Sequence, residues 1–589
     1  MNKKITKKDK NISILKSKSF VQLFVILAII IGINIVSIFI YHRFDLTAEK
    51  RYTLSTSTKT MLSNLKDVIY VRIYLSGKAL PPNFVELSQK TREFLDEMRA
   101  YSDNIEYEFI DPSEGHSSQE MDAIYGELYK KGLRPQAIQT QEADGVNTRY
   151  IVPGALMTYQ QKEIPISLVD SDDGALADEN EIIKYSIEKL EYNLGNAVRR
   201  ITNQQLAKVA FIKGHGELSN MQILRAGTAI AQFYSVDSIL LNHKLTNLFE
   251  IELTDSVSGD YTIKSNKYDL LIVAKPTEPF DNYDKFLLDQ FIMRGGRVLW
   301  YIDPVLAEMD TLNFYPEMPF IGRNLNIEDM FFQYGVRLNT NLLLDLNALP
   351  IPVETGRMAG QPQYTFIPWY YFPIITPLSE HPIVKNLNPL RTEFVSSIDT
   401  VGRQGGLTKT ILLTTSTTTK MVNAPAVVSL QTLKKRANLL EFNRKHLPVS
   451  VLVEGVFHSV FSSIEGKDVA KLEFIPQSKP TKMIFVADGD MIKNQIAADG
   501  YVYPLGVDRF TGQFFGNKNF LLNAVNYLCD DENILQVRSK DFKMRLLDSK
   551  KIIKEKAQWQ VLNMILPLAL VIILALILFF IRYLKYVRK

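Results

Sequence analysis

The sequence predicts a protein of the α/β class, with two modules held between two transmembrane helices. Three observations support this prediction. The 589 residues include two long uncharged apolar runs, at 20–41 and 561–581. Segments typical of strands and of helices alternate between these runs, as they do in α/β folds. With 46% hydrophobic and 22% charged residues, the composition is that of a globular protein rather than a disordered chain.

The first apolar run follows a basic tail and has the length of a transmembrane helix. Residues 1–19 carry a net charge of +6, and the 22 residues at 20–41 carry none. At 1.5 Å per residue this run spans about 33 Å, enough to cross a bilayer core. A cleaved signal peptide is the alternative, but its apolar stretch is usually about 7–15 residues and precedes an Ala-x-Ala site, which is missing here. We therefore expect a retained anchor.

The second apolar run, at 561–581, precedes another basic tail. Residues 582–589 carry a net charge of +4, whereas residues 20–581 carry −6. Because both basic tails flank their runs on the outer side in sequence, the positive-inside rule predicts that both termini are cytoplasmic and that the bulk of the chain lies across the membrane. The acidic middle offers no basic stripe for nucleic acid.

The first predicted module covers residues 42–175. Its first six elements follow the order β-α-β-α-β-β, which is typical of a thioredoxin-like layer. The expected strands lie at 68–75, 105–110, 136–141, 150–159 and 163–169, and the expected helices at 84–101 and 119–131. The only cysteine is Cys529, so a Cys-x-x-Cys redox site is impossible. The module is therefore predicted to be a structural or binding version of that fold.

A linker helix is predicted within residues 176–204. Apolar side chains recur at helical spacing over 178–201, which indicates one long amphipathic helix. Such a helix could pack on its own domain or present a surface to a partner. We favour packing and a role in linking the two modules.

The second predicted module covers residues 205–535. Its expected strands and helices alternate, which favours a parallel, doubly wound sheet. The strands are expected at 208–213, 235–241, 268–275, 297–302, 449–457 and 482–487, with helices at 219–233 and 283–294. An insertion with its own β structure is expected at about 305–445. Residues 536–560 are charged and are predicted to form a helical stalk leading to the second membrane span.

Most motifs that carry chemistry are missing from the sequence. The nearest match to a nucleotide-binding P-loop is 402–410, but Leu407 replaces the second required glycine and the lysine is out of register. No zinc-protease, nucleophile-elbow or calcium-loop pattern occurs. We therefore expect no enzymatic activity, no cofactor and no metal.

The most suggestive polar segment is Gly214-His215-Gly216-Glu217, which follows a predicted strand. Doubly wound folds bind ligands at the carboxyl ends of their strands, so these four residues are candidate ligand or partner contacts. A tight strand-to-helix turn, with Ser219 as the helix N-cap, is the structural alternative.

Three other segments can also be interpreted either as a binding site or as an ordinary structural element. Asp303 also follows a predicted strand, and Asp488-Gly489-Asp490 could bind a cation or form a solvated turn. The aromatic residues Trp369, Tyr370 and Tyr371 could form a ligand or protein contact. The alternative is that they pack a long loop onto its own domain.

Seven segments spread over nearly the whole chain together resemble one known family. They are 45–55 (DLTAEKRYTLS), 91–101 (TREFLDEMRAY), 213–218 (KGHGEL), 294–304 (RGGRVLWYIDP), 368–373 (PWYYFP), 483–490 (MIFVADGD) and 517–528 (NKNFLLNAVNYL). Their order and coverage are similar to those of the GldG family, the auxiliary component of the gliding-motility ABC transporter of Bacteroidetes-type bacteria. No segment among them is a catalytic motif.

The resemblance implies a fold, a location and partners. It implies a periplasmic domain of the type shared with an intraflagellar-transport protein, similar to flavodoxin-like folds. It also implies the bacterial inner membrane as the location, a multi-span permease (GldF-like) and a cytoplasmic ATPase (GldA-like). The two-fold symmetry of ABC complexes suggests two copies per complex.

Three functional classes remain open. The leading one is a non-enzymatic subunit of an ABC-type membrane complex, which binds a ligand or couples the permease to envelope partners. The second is an envelope hydrolase that acts through His215 and Glu217. The third is a structural periplasmic scaffold of the motility machinery.

Overall fold

The computed structural model describes most of the region between the two apolar runs. It describes residues 24–32, 54, 56–77, 80–142, 145–169, 179–202, 206–255, 260–358, 360–402, 406–434, 437–463, 474–529 and 549–586. The chain forms two compact units, residues 1–540 and 541–589. The α/β class predicted from the sequence is confirmed, because helices accompany both parallel and antiparallel strands.

In its described residues, the first region of unit 1 contains a four-stranded sheet, a separate hairpin and five helices. Its elements are α1 (Thr56–Ser63), β1 (Ile69–Ile73), α2 (Pro82–Tyr101), β2 (Ile105–Phe109), α3 (Ser118–Lys130), β3 (Gln136–Glu142), β4 (Gly145–Ile151), β5 (Gly154–Tyr159), β6 (Lys162–Ser167), α4 (Glu179–Glu188) and α5 (Leu190–Thr202). The sheet order is β2-β1-β5-β6, with β1 parallel to β2 and antiparallel to β5.

Alternating burial along β1 explains its place in this sheet. Ile69, Val71 and Ile73 are buried, and they share one core with Leu87 and Leu95 of α2. Proline at the first helical position suits the start of α2, because the missing N–H would have no intrahelical partner there.

Two predicted elements of this region are divided in the structure. The strand expected at 150–159 is interrupted at Val152 and Pro153, so its first part pairs with β3 and its second part with β1. The helix expected at 178–201 breaks at Lys189 into α4 and α5. The Ser186 hydroxyl donates to the carbonyl of Ile182, a side-chain bond that bends helices.

The second region of unit 1 is built around a seven-stranded sheet. Its first elements are β7 (Lys208–Lys213), α6 (Leu224–Ala231), β8 (Ser235–Leu240), α7 (Leu245–Leu248), β9 (Phe249–Asp255), β10 (Asp260–Asn266), β11 (Leu270–Ala274), α8 (Asn282–Met293) and β12 (Arg297–Tyr301). The last elements are β23 (Pro448–Gly455), β24 (Thr481–Val486) and α11 (Asn517–Cys529).

Many short elements lie between β12 and β23. They are α9 (Met309–Phe314), β13 (Glu317–Phe320), α10 (Glu328–Gln333), β14 (Val336–Leu338), β15 (Asn341–Asp345), β16 (Ala348–Met358), β17 (Gln361–Ile375), β18 (Leu390–Arg391), β19 (Ile398–Thr400), β20 (Leu407–Thr414), β21 (Thr419–Asn423) and β22 (Ala426–Ser429). The β structure expected here is therefore present. One of these strands, β20, also joins the edge of the seven-stranded sheet by pairing with β23.

The strand order of the large sheet decides where its loops meet. The order is β20-β23-β24-β12-β11-β7-β8. Strands β8, β7, β11, β12 and β24 are parallel, whereas β23 is antiparallel to both of its neighbours, β24 and β20. Helices α6 and α11 cover one face and α8 covers the other, so β11 is buried on both faces. That burial matches its sequence, LLIVA, an apolar run without alternation.

The described part of unit 2 is a single helix, α12 (Ser549–Tyr586), which includes the predicted run at 561–581. Its segment Asn563–Leu584 is 22 residues long, with a mean hydropathy of 3.3, and is long and apolar enough to cross a membrane. Residues 24–32 are also helical, whereas the remainder of the predicted run at 20–41 lies outside the described residues. The predicted stalk lies within them only from Ser549 onward.

Candidate functional site

The carboxyl ends of four parallel strands bring most of the candidate polar residues to one edge of the sheet. His215 follows β7, Lys275 follows β11, Asp303 follows β12 and Asp488 follows β24. The strand order reverses between β7 and β11, and open α/β sheets bind ligands beside such a reversal. The structure therefore places His215, Asp303 and Asp488 at the same edge of the sheet, although they are far apart in the sequence.

The segment 214–217 is a tight turn that depends on its glycines. Gly216 has a φ of +68°, and a Cβ atom placed there would lie 2.0 Å from Oγ1 of Thr277. The backbone N–H groups of Thr277 and Glu278 both donate to the carbonyl of His215 at 2.9 Å. Ser219 and Gln222 exchange hydrogen bonds in the pattern of a capping box, as expected for an N-cap at Ser219. A turn follows, and α6 begins only at Leu224, later than predicted.

His215 lies between two carboxylates beneath the surface. Its Nδ1 is 3.4 Å from Oε1 of Glu217, and its Nε2 is 3.3 Å from Oδ2 of Asp284 in α8. The ring stacks on Phe280 at 3.8 Å, and only 5% of the residue is exposed. Burial alone would lower the pKa of His215, but hydrogen bonding and charge from Asp284 and Glu217 outweigh it and raise the pKa to about 9. A pKa in this range favours the protonated ring near neutral pH, and a protonated ring lacks the free lone pair that a general base needs.

We expect the stability of the protein to decrease as pH rises from about 6.5 to above 9. The pKa of His215 is raised from 6.5 to about 9, so its stabilising contribution is complete below 6.5 and is lost as pH rises through 9. The expected loss is about 2 kcal/mol after a discount for solvent screening. The measurement is urea unfolding of the purified full chain between pH 6 and 9.5.

The control for this titration is His215→Gln, which removes the ionisable ring. The exposed His243 also pairs with a carboxylate, Asp281, and remains in both proteins. The difference in unfolding free energy between the wild type and the variant should therefore shrink across this pH range. A constant difference would show that His215 does not change its protonation on unfolding.

The second polar group at this edge is an ion cluster around Lys275. The Nζ atom lies 2.6 Å from Oδ2 of Asp490, 3.0 Å from Oε2 of Glu308 and 3.2 Å from Oδ2 of Asp303. Lys275 is 2% exposed, and Asp488 beside the cluster is fully buried. Asp488 accepts hydrogen bonds from the backbone N–H groups of Glu393 and Asp490, both at 2.8 Å.

Burial and charge set the protonation of this cluster. Burial alone would lower the pKa of Lys275, but the carboxylates of Asp490, Asp303 and Glu308 outweigh it and raise the pKa above its ordinary value. Burial would also raise the pKa of Asp490, yet Lys275 and Lys493 lower it to about 2. Burial raises the pKa of Asp303, and burial together with repulsion from neighbouring carboxylates raises that of Asp488 well above its usual range.

The carboxylates of Asp303, Asp488 and Asp490 lie within 4.8 Å of one another, as metal ligands do. However, the ammonium group of Lys275 already provides a cation in contact with two of them. The electrostatic requirement for a metal ion is therefore met by the chain itself. His243, Asp281 and Asp284 are equally close together, but Asp281 already caps α8 by accepting from the N–H groups of residues 283 and 284.

A cleft of about 450 Å³ opens beside the Lys275 cluster. Its charged lining residues include Arg391, Glu393, Lys493, Asp508 and Arg509. Its apolar lining residues include Leu349, Ile351, Phe372 and Phe510. Sequence reasoning missed these residues because they come from separate loops and short strands and form no motif.

The aromatic candidates lie in β17 and contribute to a local core. Trp369 and Tyr371 are buried and their rings are 5.1 Å apart, whereas Tyr370 is half-buried and packs against Phe442 at 5.5 Å. The structure does not bring these residues to the His215 turn as a joint site. A contact of the aromatic run with a ligand or partner stays a prediction.

The second region of the chain matches a known family over most of its length. Residues 207–524, more than half of the chain, match the family ABC_transp_aux, described as an ABC-type uncharacterized transport system. The chain belongs to this ABC-transport auxiliary family. Residues 48–158 match a domain of unknown function. Family membership associates the protein with the components of an ABC-type transport system.

Two individual proteins are also similar to the chain. A protein of Borreliella burgdorferi (strain ATCC 35210), described as uncharacterized, is 20% identical over 553 residues, which cover 92% of this chain and 94% of that protein. The solved structure described as the mmIFT52 N-terminal domain is 12% identical with a TM-score of 0.30. Its alignment covers 55% of this chain and 98% of that domain.

Membership of the ABC-transport auxiliary family and the apolar helix α12 both support an association with the membrane. One helix that could cross a membrane is present in the described part of the chain, and the family is associated with transport across membranes. The protein is therefore a membrane-associated component of an ABC-type transport system.

Proposed function

We propose that this protein is a non-catalytic, membrane-anchored subunit of an ABC-type transporter complex linked to gliding motility. The observation that carries the proposal is the family match over residues 207–524. The apolar helix segment Asn563–Leu584 supports an anchor in the membrane. The segments that resemble the GldG family support the link to gliding motility. The region between the two apolar runs would lie in the periplasm, with both termini in the cytoplasm.

The two sheets support the proposed module types. In the first module, proposed at 42–175, the order β2-β1-β5-β6 with one parallel pair is the arrangement of a thioredoxin-like layer. In the second module, proposed at 205–535, the parallel strands β8-β7-β11-β12-β24 follow the flavodoxin-like order 2-1-3-4-5. The linker helices α4 and α5 would join the modules.

The contacts at the strand ends support a non-catalytic role. His215 is protonated and held by two carboxylates, and Lys275 is surrounded by three. A general base needs a free lone pair, and a nucleophilic amine needs a lowered pKa. Neither residue has that property, which argues against His215 as the catalytic base of an envelope hydrolase.

The chain needs partner proteins for transport, because its sequence contains neither a permease pathway nor an ATPase motif. Two proposed spans are too few for a permease pathway, and no P-loop occurs in the 589 residues. We therefore propose a multi-span, GldF-like permease and a cytoplasmic, GldA-like ATPase as partners, with lipid around the spans. Two copies in the complex would match the two-fold symmetry of ABC transporters.

The test is purification of the intact tagged protein from native membranes in a mild detergent, followed by mass spectrometry. We expect a multi-span permease and an ATPase in stoichiometric amounts. The control is an unrelated inner-membrane protein with the same tag and expression level, which should retain neither. Recovery of folded, abundant protein without either partner would overturn the proposal and favour a free-standing scaffold.

A further inference from the structure

A second cavity lies within unit 1, away from the His215 turn and the Lys275 cluster. Its volume is about 350 Å³, at the lower end of the range of small-molecule sites. One wall comes from the first region, including Gly132, Gly154 and α5, and the other comes from α6 and α11. The cavity therefore lies where the two regions of this unit meet.

Among the residues that the structure describes, the lining of this cavity carries charge of one sign. It includes five basic residues and no aspartate or glutamate. The basic residues are Arg134, Lys189, Arg200, Arg225 and Lys518. They come from five separate places in the sequence, so no local basic run marks the site. A cavity with this lining attracts anions and disfavours cations.

The arginines differ in how they are held. Arg225 donates from Nε and Nη2 to the carbonyl of Val502 at 3.2 and 3.0 Å, which orients its guanidinium without neutralising the charge. Arg200 is half-buried, and burial lowers its pKa. Among the described residues, neither Arg200 nor Arg134 forms an ion pair with a carboxylate. A bound anion would supply the missing negative charge.

We propose that this cavity binds a small phosphate-bearing anion. Arginine guanidinium groups form paired, charge-assisted hydrogen bonds with phosphate oxygens, and lysine adds a point charge. Guanidinium groups that reach the cavity from three separate elements suit the tetrahedral oxygens of a phosphoryl group better than the two coplanar oxygens of a carboxylate. The side-chain amide of Asn193 lines the same space and can donate a further hydrogen bond.

An anion bound in this cavity would contact residues from both sides of it. Arg200 and Lys189 belong to the linker between the regions, whereas Arg225 and Lys518 belong to α6 and α11. An anion held by both sets would cross-link the two regions and stabilise their packing. This inference goes beyond the proposed transporter role. The two are tested separately, because anion binding is measured on the purified chain, whereas partner recovery is measured from native membranes.

The test is isothermal titration calorimetry of the purified full chain in detergent at constant ionic strength. The probes are inorganic pyrophosphate, glycerol 3-phosphate as a lipid-headgroup analogue, and citrate as a carboxylate control. We expect a phosphate probe to bind one site, and Arg200→Gln to weaken that binding at least tenfold. Arg134→Gln, at the exposed rim, should weaken it to a smaller extent and keeps the test valid if Arg200→Gln does not fold.

The matched control is Arg444→Gln, which removes the same charge from an exposed position outside the cavity. It should bind like the wild type. Tighter binding of pyrophosphate than of glycerol 3-phosphate would support a soluble phosphate compound, and the reverse order would support a lipid headgroup. The proposal is wrong if neither phosphate probe binds, if citrate binds equally well, or if all three variants bind alike.

Discussion

Replacing Lys275 with methionine should destabilise the protein by about 3–5 kcal/mol, because removal of one partner leaves buried charge uncompensated. The ammonium group contacts Asp490, Asp303 and Glu308, and the first two of these are buried with it. Methionine has a similar volume, so a cavity contributes little to the loss. Thermal and urea unfolding of the full chain measure the effect.

Lys493→Met is the matched control, because Lys493 pairs with the other oxygen of Asp490 at 3.2 Å but remains partly exposed. Partly exposed pairs contribute about 0–1 kcal/mol, so this variant should unfold almost like the wild type. Adding Asp490→Asn to Lys275→Met should restore part of the stability by removing one uncompensated charge. Equal stability of Lys275→Met and Lys493→Met would contradict the assignment of Lys275 as the centre of the cluster.

Replacing Gly216 with alanine should cost about 2–4 kcal/mol and disturb the turn that holds His215. Part of the cost is the left-handed backbone, at φ +68°, which costs other residues about 1–2 kcal/mol. The rest comes from the contact of the new Cβ with Oγ1 of Thr277, only 2.0 Å away. Thermal unfolding, with the pH dependence of stability as a second readout, checks this expectation.

Gly115→Ala is the control that separates the cost of the left-handed backbone from the cost of the clash with Thr277. Gly115 also has a positive φ, +80°, but no atom lies within 4 Å of its virtual Cβ. This variant should lose only about 1 kcal/mol. Thr277→Ala combined with Gly216→Ala should recover part of the stability by removing the clashing hydroxyl. If both glycine variants lose the same amount, the clash with Thr277 does not contribute.

Local pattern was enough to predict much of the architecture. The apolar strand β11, the helix α8 and the apolar part of α12 each have a sequence signature that depends only on neighbouring residues. The same reasoning placed His215 in a tight turn between two glycines. Local pattern predicted the ends of elements less accurately, since the helix expected at 178–201 breaks at Lys189 and α6 begins only at Leu224.

The sequence by itself determined the α/β class, the apolar run at 561–581, the lack of redox cysteines and the candidate turn at 214–217. Only the tertiary structure decided that His215 lies between Glu217 and Asp284 and that Lys275 meets Asp303 and Asp490. It also decided which five basic residues share one cavity. The physical reason is that hydrophobic periodicity is a local property, whereas charge clusters depend on which strands become neighbours in the sheet.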